Sequence, residues 1–195
     1  MACTVTNLPS FPATGCGVQT LISDGHIKHM LIVNKGEAVP DITDDVAIAA
    51  QITAGTMVLS PMITGTLPVS NKSDEVVENC QPAQTTTRDR TFSFESVRTD
   101  TTAKADFTFW NAYDNDLGNY TFAFIDCDDN LYVNSDFTAS PSSEVLGWTP
   151  TGFVEPVWDN TSARKWMGEL TFREPQSKKI DKVVLTADVK TAIGL

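Results

Sequence analysis

The sequence predicts a mainly β protein, an antiparallel β-sandwich or barrel with one or two short flanking helices. Three observations predict it. Phe92 and Phe94 alternate with Thr91, Ser93 and Glu95, and Trp166, Gly168, Leu170 and Phe172 alternate with Lys165, Met167, Glu169, Thr171 and Arg173. Alternation of period two marks a half-buried strand. Hydrophobic residues make up only 41% of the chain and charged residues 20%; the remainder, rich in Thr, Ser, Asn and Gly, suits strands joined by many turns. Asp24-Gly25, between the β-prone runs 18–23 and 27–33, is a hairpin signature.

Taken in order, residues 1–17 carry Pro9, Pro12, Gly15 and Gly17 and predict an extended N-terminal arm. Residues 18–195 are long enough for a single β-rich domain. Thr43 as N-cap, Asp44 and Asp45 near the positive end of the dipole, and Gly55 beyond the last turn predict a helix over 44–54. Strand character returns at 57–63, interrupted by Pro61, and gives way to a long polar loop over 65–84. After the strand at 87–97, Asp100 opens a helix over 101–113 with Ala103, Phe107, Trp110 and Ala112 on its apolar face, closed by Leu117-Gly118-Asn119.

Residues 120–125 and 131–133 form a hairpin around the acidic tip Asp126-Cys127-Asp128-Asp129-Asn130, and a second long loop spans 134–162. The strand at 163–174 is followed by a basic loop (Lys178, Lys179, Lys182) and a last strand over 183–189. Trp166, Leu170 and Phe172 should face Phe92, Phe94, Phe122 or Phe124 in the core, and Trp110 should pack. Trp148 and Trp158, in the polar stretch, read as protein-contact residues.

A net charge of −11 excludes binding to nucleic acid through a basic footprint, though such a chain can face DNA without sticking to it. No apolar run is long enough to cross a bilayer, and the first seven residues lack the pattern of a secretory signal. Assembly in a reducing cytoplasm, with Cys3, Cys16, Cys80 and Cys127 as free thiols, is the expectation; a Cys3–Cys16 bridge after lysis is the lesser alternative.

Chemistry is scarce. His26 and His29 have a spacing used by helical metal ligands, but on a strand positions i and i+3 point to opposite faces. Asp126-x-Asp128-x-Asn130 begins like a calcium loop and fails at Leu131 and Phe137, where Gly and Glu are required. No nucleophile elbow, phosphate loop or dinucleotide fingerprint occurs. The sequence nominates no catalytic, cofactor-binding or metal-ligating residue and no cofactor.

The succession Cys80-Gln81-Pro82, then Arg88-Asp89-Arg90-Thr91-Phe92-Ser93-Phe94-Glu95, then Phe107, Trp110 and Asn111, then Tyr120-Thr121-Phe122-Ala123-Phe124, and the closing run from Lys165 to Phe172 resembles tailed-bacteriophage virion structural proteins. Within them it is most similar to tail-tube and major tail proteins, over roughly residues 80–175. The resemblance implies a small β-sandwich with a flanking helix that forms ring-shaped homo-oligomers, stacked and with a hexamer as one expected size. It implies other virion proteins as partners, passage of DNA without specific binding, no membrane, and a place in the tail or neck after assembly in the host cytoplasm. The acidic tip at Asp126, Asp128 and Asp129 would then face the lumen or an adjoining ring, with Lys178, Lys179 and Lys182 of a neighbouring copy as its partner; a solvated acidic turn touching nothing stands beside that reading. The N-terminal third departs from the simplest tube pattern. A portal or neck ring, a head-decoration protein, a host- or carbohydrate-binding β-sandwich module and, last, an acid/base enzyme stay open.

Overall fold

The computed structural model describes residues 26–66, 74–75, 84–85, 90–96, 108–134, 136–137, 146–159, 165–172 and 180–195. The expected arm at 1–17, the hairpin at 18–25, Cys3, Cys16, Cys80, Lys178, Lys179 and residues 101–107 lie outside them.

The fold is mainly β, as the sequence predicts. Strands β1 (His26–Asn34), β2 (Met57–Leu59), β3 (Ile63–Thr66), β6 (Arg90–Ser96), β7 (Tyr120–Asp126), β8 (Asn130–Asn134), β9 (Gly152–Asp159), β10 (Lys165–Phe172) and β11 (Ile180–Val184) form one sheet. Its order is β11-β8-β7-β1-β3-β6-β10-β9, with β2 added to β1, and every pairing is antiparallel. The sheet does not close into a barrel. Strands β4 (Asp74–Glu75) and β5 (Gln84–Thr85) make a separate two-stranded ladder.

Two cores flank the central strands. On one face Met30, Ile32, Phe122, Phe124 and Tyr132 meet Phe92, Phe94, Leu170 and Phe172, so the β6–β10 half of the sheet folds over the β1–β7 half. Phe124 is the hub: it lies 4.8 Å from Phe92, 5.7 Å from Trp148 and 5.8 Å from Phe172 between ring centroids. The sandwich bends at β3, where Gly65 leaves room for the Phe92 ring. On the other face Leu31, Val33, Ala123, Ile125, Leu131 and Val133 pack against Ile48 of helix α1 (Asp45–Ala54) and Val189 and Ile193 of helix α2 (Ala187–Ile193). Because both faces of β7 and β8 are covered, these strands read as continuous apolar runs. A bulge in β1 between Ile27 and His29 shifts the alternation by one, which puts Ile27 on the same core face as Met30 and Ile32.

Several sequence expectations are corrected. The N-cap of α1 is Asp44, which accepts from Ala47 N at 3.1 Å, whereas Thr43 donates its own N–H and hydroxyl to Asp41. The helix expected over 101–113 is helical among the described residues only at 108–111. A 3₁₀ segment, Asp114–Asn119, then follows, where Asp116 breaks the helical geometry (φ −130°). Residues 65–84 are not all loop: Gly65 and Thr66 belong to β3, β4 lies within the remainder and β5 starts at its end. Residues 134–162 contain the eight-residue β9. Trp148, expected at the surface, is buried, because Phe122 and Trp148 exchange backbone hydrogen bonds at 2.9 and 3.0 Å. The strand expected over 183–189 is β11 followed by α2, capped by Thr186 at its start and by the left-handed Gly194 at its end.

Candidate functional site

Three places carry chemistry or contact potential. The first is the β7–β8 turn, which folds around one carboxylate. Asp126 is buried and accepts from Asp128 N (2.9 Å), Asn130 N (2.8 Å), Asn130 Nδ2 (2.9 Å) and the Tyr132 hydroxyl (3.0 Å). The turn closes through Asp129 in the left-handed region (φ 62°), which aspartate tolerates better than most residues. That conformation turns Asp129 toward two lysines. Lys28, at the β1 bulge, and Lys190, on α2, both donate to it, the latter at 3.1 Å. Hydrogen bonding from Lys28 is the largest influence on the Asp129 carboxyl; burial opposes it, and the hydrogen bond from Lys190 with the charges of both lysines helps hold the group below the ordinary range.

The reason for the tip's expected role is corrected. The three carboxylates do not repel one another at an open turn, since Asp126 is turned inward and Asp129 is neutralised within its own chain. Lys182 lies in β11 opposite Tyr132 rather than in a loop.

Next to the bulge, His29 Nδ1–H donates to the Ser60 carbonyl at 2.9 Å, while Ser60 Oγ accepts from Met30 N at 2.8 Å. His26 is exposed at the start of the strand. Among the described residues no three His, Cys, Asp or Glu side chains gather around a common point. Burial lowers the His29 pKa, assisted by the Lys28 charge and opposed by the bond to Ser60.

These two groups set a pH dependence. The unfolded chain binds a proton on His29 near pH 6.5 while the folded chain resists it, so stability falls as pH drops below 6.5 toward the lowered folded value. The Asp129 contribution is fully present above its ordinary pKa of 3.8 and is lost as pH falls through its depressed folded value. Urea midpoints should therefore decline on acidification in two stages. His29→Gln should remove the upper stage and Asp129→Asn the lower; a midpoint flat from neutrality to pH 4 would contradict the His29 assignment, and one that stays flat on further acidification below pH 3.8 would contradict the Asp129 assignment.

The second place is a groove of about 400 Å³ on the outer face of β3, β6 and β10. Thr64, Thr66, Ser93, Glu95, Met167 and Glu169 rim it, Gly65 and Gly168 underlie it, and Ser93 Oγ donates to Glu169 at 3.1 Å. Met167 is half exposed there. Sequence alternation indicated that these positions face outward, but not that they would enclose a groove.

The third is the pair of sheet edges. Among the described residues no strand pairs with the outer side of β11 or of β9. Pro156 and a bulge opposite Gly168 interrupt β9, devices that blunt an edge locally. At the end of β11, Val184 is 71% exposed. Cys127, the one cysteine among the described residues, is exposed beside the turn. No helix of the described residues is long and apolar enough to cross a membrane.

No family model, curated protein or solved structure matches this chain.

Proposed function

We propose that the chain is a non-catalytic structural protomer of a tailed-phage virion, a tail-tube or tube-like ring subunit that self-assembles into a DNA conduit. The observation that carries this reading is the antiparallel sandwich left open at both ends, with β11 and β9 unpaired on their outer sides among the described residues. Backbone donors and acceptors on a strand edge are a template for another chain, and a repeating protomer satisfies them by association. The element order of the aromatic strands, with helices on one face, agrees with the resemblance to tube proteins. The net charge of −11 suits a conduit that repels phosphate.

A host- or carbohydrate-binding module is the second reading, favoured by the groove beside Met167. One experiment separates them. Sedimentation velocity and negative-stain imaging of the purified chain at rising concentration should give large, salt-resistant rings or tubes. A monomer at every concentration, stabilised by an added glycan, would replace the first reading with the second.

A further inference from the structure

Seven antiparallel steps lead from β11 to β9 along the sheet, so the two edge strands run in opposite directions. A second copy that continues the sheet in the same orientation therefore sets its β11 antiparallel to the first copy's β9, in the ladder geometry used throughout the molecule. Self-pairing of β11 is worse. With all five of its residues overlapped, Lys182 would stand opposite Lys182 of the other copy, and like charges directly opposed are destabilising.

We infer that β9 of one copy pairs with β11 of a second copy, Phe153 opposite Val184, Val154 opposite Val183 and Glu155 opposite Lys182. The inference rests on the self-assembly reading and names the contact that performs it. Residues directly opposed in a ladder share a face, and this parity limits the choice. Phe153 and Ile180 both pack toward the core between the two halves of the sheet. By alternation the β11 positions on that face are Ile180, Lys182 and Val184, so Phe153 must meet one of these three. Opposite Ile180 it would leave most of β11 overhanging. Opposite Lys182 it would set Val154 against Asp181 and Glu155 against Ile180. Opposite Val184 it pairs an aromatic with a β-branched residue, valine with valine, and an acid with a base. That register also covers Val184, 71% exposed in the single chain. Pro156, without an N–H, ends the ladder on the next residue.

The test is sedimentation of the full chain in three forms. Lys182→Glu and Glu155→Lys should each weaken self-association by about tenfold or more, since each sets like charges against one another at the contact. Mixing the two variants should restore assembly, because alternating copies then place opposite charges at both junctions. Circular dichroism and urea midpoints matching the parent identify the variants as folded. Single reversals that assemble like the parent, or a mixture that stays as dissociated as its components, would overturn this register while self-assembly stands. A parent chain monomeric at all concentrations would overturn the self-assembly reading and the inference with it.

Discussion

Gly147→Ala is expected to lower stability by about 3–5 kcal/mol, combining the strain of overpacking with the loss of two buried backbone hydrogen bonds. A methyl group at Gly147 would overlap the Phe122 carbonyl and come within 2.6 Å of Ala123 N. These are main-chain atoms of a central strand, and no rotamer change moves them aside. The adjacent bridge between Phe122 and Trp148 must open instead, which withdraws Trp148 from its stack on Phe124. Urea denaturation followed by tryptophan fluorescence reads both effects. Gly118→Ala is the control: nothing lies within 4 Å of a Cβ there, and its midpoint should stay near the parent's. Equal midpoints for the two variants would mean that residues 146–148 do not approach β7 as described.

Phe172→Ala should cost about 3–5 kcal/mol by cavity formation. The ring is 2% exposed and meets Phe124 edge-on at 5.8 Å across the sandwich. It therefore ties the β10 half of the sheet to the β7 half, and its loss weakens the contact between layers rather than one strand. An unchanged midpoint would mean that β10 presents its other face to the core. Met167→Ala, at the half-exposed position on that other face, should be nearly neutral.

Where structure depends on neighbours in sequence, the chain was readable. Alternation around Phe92, Phe94, Leu170 and Phe172 placed the correct residues in the core. Gly55 and the aspartates before it bounded α1. The C-terminal helix was legible in principle, because Thr186 and Gly194 cap it at the right separation. Val183 and Val184 extended the β reading across a boundary that those caps mark. The side chain of Trp166, expected in the core, lies outside what the structure describes. Other features had no local signal. Asp129 finds Lys28 and Lys190 across 101 and 61 residues of chain. Trp148 looked superficial because it falls inside the long stretch 134–162 read as a loop, yet its backbone joins β7. β9 carries Pro156 in its middle, which breaks any local strand signal, although proline is admissible on an edge strand.

The central position of β1 carries a consequence for biosynthesis. Ile32 pairs with Phe122, about 90 residues later in the chain. At ~5–20 residues per second of translation, β1 waits roughly 5–20 seconds for that neighbour to be made. Its apolar run Met30-Leu31-Ile32-Val33 can meet β2 early, through Leu31–Leu59 and Val33–Met57, but β2 is three residues long and covers one edge only. The nascent chain thus passes through an interval in which its most central strand is half paired and sticky. Slow maturation, and sensitivity of yield to temperature and to chaperone supply, follow from the order in which these strands are born.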